Sequence, residues 1–338
     1  MYSEYLNNKN ILVTGGTGTF GSEFIKTVIS EYNPNKIIVF SRDEMKQYKM
    51  QQSFPDNGTL PIRYFLGDVR DKERLIMATK NVDIIIHAAA LKHITSTEYN
   101  PFEAIKTNIL GAQNIIEASL ENKIKRVIAL STDKASAPVN LYGATKLAAD
   151  KLFVAANSSY RGQKDISFSV VRYGNVFGSR GSVVPYFLSK KEDQIIPITD
   201  EKMTRFNITI EQSVNFVLST LQRMQGGEIF IPKMSSYKLL DLKEAIVPKN
   251  KIQIIGIRPG EKLHEETVTV SDSLNTIDCG TYYVILPSNN FLSKSMYDEK
   301  NKIKSKSCEY GFSYNSYNNS DWLTVDNLKT LVKEFLEN

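Results

Sequence analysis

The chain has 338 residues, 41% of them apolar and 23% charged, which is enough for one large domain or two closely joined domains with a full hydrophobic core. The formal net charge of +5 is not concentrated in any basic stretch, which argues against binding to nucleic acid or to a membrane surface. The two cysteines, Cys279 and Cys308, form neither a disulfide framework nor a metal-ligand pattern, and we predict no metal site.

Short apolar runs alternate with longer amphipathic stretches through the first half of the chain. The predicted strands are Asn10–Thr14, Lys36–Phe40, Ile62–Leu66, Val82–Ala88, Arg126–Leu130 and Phe168–Tyr173. The predicted helices are Phe20–Tyr32, Asp71–Lys80, Pro101–Asn122, which has Asn100 as its N-cap, and Leu141–Asn157. This alternation is typical of βαβ units and predicts an α/β protein with a Rossmann-like, doubly wound parallel sheet.

The regular alternation stops after Gly178, where prolines separate shorter segments. We expect residues 1–178 to form the Rossmann domain and residues 179–207 and 233–338 to form a smaller, mixed lobe. A predicted helix at Glu211–Met224 and a predicted strand at Glu228–Ile231 indicate that about residues 208–232 return to the first domain. The polar segment Ser288–Asp321 is predicted to be loop.

A glycine-rich turn joins the first strand to the first helix. Glycines allow a backbone to approach a pyrophosphate closely, and a helix N-terminus offers N–H groups to it. The GxxGxxG spacing alone could be an ordinary strand-to-helix turn, but the strands that follow favour a dinucleotide site. The predicted cofactor-binding residues here are Gly15, Thr17, Gly18, Thr19, Phe20 and Gly21.

The end of the second strand indicates which dinucleotide binds. Ser41 and Arg42 stand where NAD enzymes usually carry an acidic residue, and the guanidinium of Arg42 with nearby Lys46 suits the 2′-phosphate of NADP. Asp43 and Glu44 keep NAD open as the less favoured alternative, and Arg42 alone could be a solvated surface charge. Further cofactor contacts are expected where the third and fourth strands end, at Asp68, Val69, Ala88 and Ala89.

The segment that follows the fifth strand contains a candidate catalytic group of four residues. Tyr142 and Lys146 are four residues apart and share one face of a predicted helix. A lysine beside a tyrosine favours the phenolate and lowers its pKa from about 10 toward neutrality, which makes it a base for a hydroxyl group. Asp133 and Lys134 lie at the carboxyl end of the strand, where open α/β sheets bind ligands. The alternatives are a solvated helix face for the first pair and a local ion pair for the second.

These motifs resemble a known family. TGGTGTFG (14–21), STDKA (131–135) and YGATK (142–146) are similar to extended short-chain dehydrogenases/reductases. The additional segments HAAALKH (87–93), VRYGNVFGSRGSVVP (171–185), MTRF (203–206), GGEIF (226–230) and IGIRPGEKLHE (255–265) resemble the inverting UDP-N-acetylglucosamine 4,6-dehydratases of pseudaminic acid biosynthesis. The most specific element is Asp133-Lys134, because retaining nucleotide-sugar dehydratases carry Asp-Glu there and epimerases generally lack the pair.

The resemblance implies a hydro-lyase that makes UDP-2-acetamido-2,6-dideoxy-β-L-arabino-hex-4-ulose, a first step toward pseudaminic acid or a related surface sugar. Tyr142 would take the proton of the 4-hydroxyl while hydride passes from carbon 4 to NADP. Lys134 would be the base at carbon 5 and Asp133 the acid for the departing 6-hydroxyl. Hydride would then return to carbon 6, and protonation from the opposite face would invert carbon 5. Lys134 can act as a base only if its pKa falls, which a tight pair with Asp133 opposes.

The resemblance also implies how the substrate and the rest of the cofactor are held. The smaller lobe would bind the nucleotide sugar, and Lys92, Thr107 and Val176 would contact the cofactor. The implied substrate-binding residues are Lys92, Thr132, Asp133, Asn175, Arg180, Arg205, Arg258 and Glu261. Asn207, where relatives usually have an aromatic residue, and Ile94-Thr95, in place of Val-Pro, depart from the pattern beside the substrate pocket.

Three wider expectations complete the prediction. The chain start lacks the apolar region of a signal peptide, and no apolar run reaches the ~18 to 20 residues of a membrane span, so we expect a cytoplasmic protein with no membrane partner. By resemblance we expect a homo-oligomer, a dimer or larger up to a hexamer, with Pro101–Asn122 and Leu141–Asn157 between subunits. The alternative functions are a UDP-sugar 4-epimerase and a non-catalytic NADP-binding sensor.

Overall fold

The computed structural model describes residues 5–159, 166–288 and 292–337. The first six strands are β1 (Asn10–Thr14), β2 (Lys36–Ser41), β3 (Ile62–Leu66), β4 (Ile84–His87), β5 (Arg126–Thr132) and β6 (Ser167–Tyr173). They pair in the order β3-β2-β1-β4-β5-β6, and every pairing is parallel. Their β-branched side chains are buried because helices cover both faces of the sheet. The predicted Rossmann-like sheet is therefore confirmed.

The helices of this first half are α1 (Thr19–Glu31), α2 (Glu44–Ser53), α3 (Lys72–Ala78), α4 (Ile94–Tyr99), α5 (Pro101–Ala104), α6 (Gly111–Glu121) and α7 (Leu141–Ser159). The sequence predicted neither α2 nor α4. α2 has almost no apolar periodicity and depends on its cap, since the Asp43 carboxylate accepts a hydrogen bond from the Lys46 backbone N–H at 3.0 Å. The short α4 follows a loop whose sequence carries no strong start signal.

The helix predicted at Pro101–Asn122 contains an interruption. Residues Ile105–Leu110 form a π-helical turn between α5 and α6, and this turn buries Thr107 and Asn108. π turns are rare and are frequent at functional sites. The sequence predicted Asn100 as the N-cap, but its side chain makes no capping hydrogen bond. Its Nδ2 instead donates to the Ser96 carbonyl oxygen at 3.0 Å.

The second half of the chain adds shorter elements. Its strands are β7 (Asn175–Val176), β8 (Ile195–Ile198), β9 (Thr204–Ile208), β10 (Ile229–Pro232), β11 (Ser235–Lys238), β12 (Lys251–Ile254), β13 (Glu266–Val268), β14 (Thr276–Asp278), β15 (Tyr282–Ile285), β16 (Lys306–Ser307) and β17 (Tyr314–Asn315). Its helices are α8 (Val183–Ser189), α9 (Ile210–Arg223), α10 (Leu239–Ile246), α11 (Lys294–Asn301) and α12 (Val325–Glu337). No helix among the described residues is both long and apolar enough to cross a membrane.

Four late strands extend the large sheet to ten strands. β10 adds to β6 in parallel, and β15, β14 and β16 follow in antiparallel order. We expected residues 233–338 in the smaller lobe, but three of these strands belong to the sheet. β15 covers the hydrogen-bonding edge that β10 would otherwise expose, β14 pairs with β15, and β16 pairs with β14. The segment predicted as loop at 288–321 also contains α11, β16 and β17. Part of that prediction, residues 289–291, lies outside the described residues.

A second, separate hydrophobic cluster lies outside the large sheet. Its buried side chains include Val184 and Phe187 of α8, Ile196 of β8, Leu242 of α10 and Leu328 of α12. β8 of the two-stranded sheet β12-β8 and Tyr237 of β11 contribute to this cluster. β11 belongs to the three-stranded sheet β11-β9-β7, in which Phe206 and Ile208 of β9 pack against the main core. The smaller lobe begins immediately after β6, so its loops start at the carboxyl edge of the parallel strands.

Candidate functional site

The turn after β1 is shaped to hold a ligand against its backbone. Gly15 has a φ of +65°, and a Cβ at this position would lie 2.9 Å from the Ala89 backbone nitrogen. A Cβ on Gly21 would lie 2.6 Å from the Gly15 carbonyl oxygen. α1 begins after Gly18, which provides no side-chain cap, so the first N–H groups of the helix are available to a ligand. The glycine pattern therefore fits a pyrophosphate.

A cavity of about 1350 Å³, called here the large cavity, opens at the carboxyl edge of the parallel strands. The predicted cofactor residues that line it are Gly15, Thr17, Gly18, Thr19, Phe20, Gly21, Ser41, Arg42, Asp43, Lys46, Asp68, Val69, Ala88, Ala89, Lys92, Thr107, Tyr142, Lys146 and Val176. Glu44 does not line the cavity. Glu44 is the first residue of α2, after the N-cap Asp43, and its side chain is exposed to solvent.

The π turn supplies a second sign that the large cavity fits a polar ligand. The Thr107 hydroxyl lies at the cavity wall, is buried, and has no hydrogen-bond partner among the described residues. Its neighbour Asn108 is fully engaged, since it accepts from the Leu91 backbone at 2.8 Å and donates to the Thr145 hydroxyl at 3.0 Å. A buried hydroxyl without a partner is costly unless a ligand satisfies it.

Cations and carboxylates meet where β2 and β3 end. Asp68 is bound by Arg70 at 2.7 Å and more weakly by Arg42 at 3.5 Å. Despite burial, the bonds from Arg70 hold the pKa of Asp68 below its usual value. Because Arg70 already neutralises Asp68, the half-exposed guanidinium of Arg42 remains available at the cavity rim. Lys46 pairs with Asp43 at 2.9 Å on the solvent side.

Tyr142 and Lys146 both reach the large cavity from α7, but they are not paired as expected. Lys146 donates from Nζ to the Leu130 carbonyl oxygen at 2.7 Å, and its burial lowers its pKa. Burial raises the pKa of Tyr142 to about 12, against the opposing effects of Lys134 and Thr132. The predicted lowering of the Tyr142 pKa by Lys146 is therefore not observed, because desolvation is the larger effect.

Asp133 and Lys134 form a short turn directly after β5. The Lys134 Nζ lies 3.0 Å from Asp133 Oδ1 and 3.3 Å from the Asn175 side-chain oxygen. Asp133 is completely buried behind Lys134, while Lys134 lines the cavity. Gly143 permits this approach of α7, because a Cβ there would collide with the Lys134 carbonyl oxygen. Tyr142 and the Asp133–Lys134 pair are thus brought to one place.

The electrostatics of this pair answer a question that the sequence left open. Although burial alone would lower the pKa of Lys134, the carboxylates of Asp133 and Glu265 raise it, so the resting side chain is an ammonium. Burial and the charge of Glu265 raise the pKa of Asp133, against the effect of Lys134. Asp133 therefore holds a proton more readily than an exposed aspartate, and Lys134 must lose a proton before it can accept another.

Glu265 is a site residue that the sequence did not identify. It is buried, and its Oε1 lies 3.3 Å from Lys134 Nζ and 3.5 Å from Arg205 Nε. Despite burial, Lys134, Arg205 and Lys262 lower its pKa, so it is a carboxylate. The only signal in the sequence is its place at the end of the IGIRPGEKLHE segment, whose other acid, Glu261, was assigned instead.

The remaining predicted substrate residues surround the Asp133–Lys134 turn. A small cavity of about 330 Å³ shares Lys134, Asn175, Arg258 and Glu261 with the large one. Thr132, Lys92 and Arg180 line only the large cavity, and Arg205 lines only the small one. Lys92 donates to the Arg180 carbonyl oxygen at 3.0 Å. Arg258 is mostly exposed and lies 3.9 Å from Glu261. Apart from Glu44, each predicted residue therefore lies at these cavities or, like Asp133, directly behind them.

Asn207 introduces a polar group into the small cavity. It lies on β9 in register with Asn175 of β7, so the two side chains share a face of the small sheet. Asn207 is 6% exposed, and its Oδ1 has no hydrogen-bond partner within the described chain. At this position, where we expected an altered packing, a buried amide therefore lies beside Asn175, a predicted substrate-binding residue.

Comparisons with known proteins agree with this geometry. A family model described as "Polysaccharide biosynthesis protein" matches residues 11–287. The UDP-N-acetylglucosamine 4,6-dehydratase (inverting) of Campylobacter jejuni subsp. jejuni serotype O:23/36 (strain 81-176) is 53% identical over 330 residues, which cover 96% of this chain and 98% of that protein. A UDP-glucose 4-epimerase of Rickettsia felis (strain ATCC VR-1525 / URRWXCal2) is 37% identical over 334 residues, which cover 96% and 95% of the two chains.

Solved structures share the fold over almost the full length. Pen from Bacillus thuringiensis matches with a TM-score of 0.87 at 37% identity, covering 98% of each chain. A double mutant of DesIV, a dTDP-glucose 4,6-dehydratase from Streptomyces venezuelae with NAD and DAU bound, matches with a TM-score of 0.70 at 18% identity, covering 97% of each chain. Because its identity is only 18%, the second match supports similarity of fold and nothing further.

Proposed function

Because the chain belongs to the polysaccharide biosynthesis protein family, within the extended short-chain dehydrogenases/reductases, we propose that it is an inverting UDP-N-acetylglucosamine 4,6-dehydratase. The observation that carries this function is the Asp133–Lys134 pair, joined at 3.0 Å directly after β5 and next to the cavity that Tyr142 lines. A hydro-lyase of this kind needs an acid for the leaving hydroxyl and a base at the neighbouring carbon, and this pair contains one candidate for each.

The cofactor is a nicotinamide dinucleotide, and we assign NADP rather than NAD. When bound, it supplies reversible oxidation, taking electrons from carbon 4 of the sugar and returning them to carbon 6. The glycine turn and the N-terminus of α1 would hold its pyrophosphate. The Thr107 hydroxyl would form a hydrogen bond with the cofactor. Arg42, which shares Asp68 with the closer Arg70, would meet the 2′-phosphate together with Lys46.

The protein's residues would move protons in a defined order. Tyr142, as its phenolate, takes the proton of the 4-hydroxyl as carbon 4 is oxidised, and the resulting ketone acidifies the hydrogen on carbon 5. Proton transfer from Lys134 Nζ to Asp133 Oδ1, along their 3.0 Å hydrogen bond, yields a neutral amine and a carboxylic acid. The amine then takes the proton from carbon 5, and the acid gives its proton to the departing 6-hydroxyl, which leaves as water. The ammonium and carboxylate are restored. Once the electrons have returned to carbon 6, a proton from water adds to carbon 5 from the opposite face and inverts it, and the proton taken by Tyr142 passes back to water.

The substrate is a UDP-sugar, and we place its diphosphate and ribose over the small cavity. Guanidinium groups suit a diphosphate, and a carboxylate suits a ribose diol. The groups proposed for these contacts are Asn175, Arg180, Arg205, Arg258 and Glu261. The product would enter the synthesis of pseudaminic acid or a related surface sugar used in protein glycosylation.

We also propose that the protein is a homo-oligomer. Tyr99 at the end of α4, Phe102 in α5 and Leu110 at the end of the π turn are all exposed, Tyr99 to 87%. Aromatic side chains are enriched at protein–protein interfaces. Sedimentation of the wild type and of a Tyr99→Ser/Phe102→Ser double variant tests this, and an unchanged assembly of the double variant would place the interface elsewhere.

Incubation with UDP-N-acetylglucosamine in deuterated water tests the function. The expected product is a keto sugar lighter by one water, with solvent deuterium on an inverted carbon 5. A product of unchanged mass with inverted carbon 4 would instead identify a 4-epimerase, the activity in the name of the Rickettsia relative. Tight binding of NADP without turnover of any UDP-sugar would indicate a sensor.

A further inference from the structure

The Lys134 ammonium lies between two carboxylates that come from different parts of the chain. Asp133 Oδ1 is 3.0 Å and Glu265 Oε1 is 3.3 Å from its Nζ. From this geometry we propose that Glu265 is a positioning residue for the dehydration step, which holds Lys134 and balances its charge while Asp133 carries the proton for the leaving hydroxyl. This inference rests on the proposed function.

Glu265 is held firmly enough to position another side chain. Its backbone N–H donates to the Ser316 hydroxyl at 2.9 Å, and its carbonyl oxygen accepts from the Ser316 N–H at 2.7 Å. These bonds fix the backbone just before β13 and leave the side chain at the catalytic turn. Its Oε2 is buried without a hydrogen-bond partner in the described part of the chain. A buried carboxylate oxygen without a hydrogen bond destabilises the fold. A carboxylate that served only the fold would not need to leave one oxygen unpaired.

The reaction explains why a second carboxylate is needed. At rest, Asp133 compensates the charge of Lys134. After the proton transfer described above, Asp133 is neutral, and positive charge then grows on Nζ as the proton leaves carbon 5. Glu265 remains ionised because Arg205 also contacts it, so it stabilises the developing ammonium. No proton is gained or lost by Glu265 in this sequence.

The charges around Glu265 come from several elements. Asp133 and Lys134 face it from the end of β5, Arg205 from β9, and Lys262 from its own loop. The phenol of Tyr237 on β11 is a further titratable neighbour. The charge of Glu265 raises the pKa of Asp133 and of Lys134, so its removal lowers both and moves the reaction optimum to lower pH.

The test compares the wild type with Glu265→Gln, Glu265→Asp and the control Glu266→Gln. Glu266 follows Glu265 directly as the first residue of β13, and among the described residues no ion pair joins it to Lys134. For Glu265→Gln we expect kcat to fall about 100-fold, the pH optimum to move to lower pH, and KM to change little. Glu265→Asp keeps the charge but withdraws it by one methylene, so kcat should fall about tenfold at an unchanged optimum. Glu266→Gln should match the wild type.

A second readout separates positioning from folding. Oxidation at carbon 4 precedes elimination, so Glu265→Gln holding NADP should accumulate the absorbance of reduced nicotinamide after mixing with UDP-N-acetylglucosamine. Wild-type kcat and optimum in Glu265→Gln would overturn the inference, as would an equal loss in Glu265→Gln and Glu265→Asp at the wild-type optimum. If Glu265→Gln does not fold, wild-type kcat in Glu265→Asp overturns it. Failure of the wild type to dehydrate would instead refute the proposed function.

Discussion

Lys146 donates its hydrogen bond to the Leu130 carbonyl oxygen at the end of β5, at 2.7 Å, and so contacts the strand that carries Asp133. Tyr142, on the same face of α7, is left with a pKa raised to about 12 by burial. To act as a base the phenol must lose its proton, which burial opposes and the nearby ammonium of Lys134 favours.

Replacement of Tyr142 by phenylalanine should stop the reaction at its first step. Without the phenol no group accepts the 4-hydroxyl proton, so we expect kcat to fall by about 10³-fold or more. Rapid mixing with UDP-N-acetylglucosamine should show no reduced nicotinamide, whereas NADP affinity stays near wild type. Tyr48→Phe, on the exposed face of α2, is the control. Reduced nicotinamide at the wild-type rate in Tyr142→Phe would assign the base to another residue.

Lys134→Ala should abolish dehydration and leave NADP binding nearly unchanged. Asp133 and Glu265 would then share a buried site without their common cation, so one of them should take up a proton on folding. The elimination product should be undetectable in mass spectra, while fluorescence titration reports the cofactor affinity. Loss of NADP binding in this variant would show that Lys134 has a structural role at the large cavity.

Arg42→Ala should weaken NADP binding selectively. A guanidinium–phosphate contact is a charge-assisted bond worth about 1.5 to 3 kcal/mol, which corresponds to a loss of roughly 10- to 100-fold in NADP affinity. NAD has no 2′-phosphate, so its affinity should change less than threefold. Calorimetric titration with both dinucleotides measures the ratio. Equal losses for NADP and NAD would contradict the assignment of Arg42 to the 2′-phosphate.

The buried pair Asp150–Arg172 should contribute strongly to stability. Its atoms are 3.0 Å apart, and both side chains are almost completely buried between α7 and β6, where Asp150 also accepts from Ser131 at 2.8 Å. Asp150→Ala should lower the free energy of unfolding by about 3 to 5 kcal/mol, because the buried Arg172 guanidinium loses its close carboxylate and keeps only the more distant Asp272, at 4.0 Å. Asp326→Ala, which breaks the exposed pair with Lys329, should cost less than about 1 kcal/mol. Urea titration compares them.

His87 should make the protein less stable in mild acid. Burial lowers its pKa from 6.5 to about 3, and Thr14 bonds to its Nδ1 at 2.8 Å. Below the unfolded value the unfolded chain binds a proton that the folded chain does not, so stability is lost as pH falls from about 6.5 toward 3. The contribution approaches about 1.4 kcal/mol per pH unit. In urea titrations at several pH values, the free energy of unfolding of His87→Gln should fall less steeply with decreasing pH than that of the wild type. An unchanged slope would mean that the folded and unfolded chains protonate His87 to the same extent.

Much of the parallel sheet could be predicted because apolar, β-branched strands and the glycine turn are local signals. α2 could not be predicted in this way, since it depends on one capping carboxylate at Asp43. β14 to β16 could not be predicted either, because β15 pairs with β10, a strand distant in the chain, and β14 and β16 add to the sheet beyond β15.

The site shows the same division between residue identity and electrostatics. The residues that line the large cavity could be identified because they follow parallel strands that end at one edge. The state of Lys134 depends on Glu265, which is 131 positions away, and no spacing in the sequence joins them. The pKa of Tyr142 depends on burial in the folded protein, which a four-residue spacing from Lys146 does not report.

The outer strands of the ten-stranded sheet have a consequence for synthesis of the chain. When a ribosome has released β10, all parallel strands exist, yet the free edge of β10 stays open until β15 emerges some fifty residues later. An apolar strand edge of this kind pairs readily with other chains. Nascent or truncated chains that end before β15 should therefore aggregate, and chaperone demand should fall once that strand has closed the sheet.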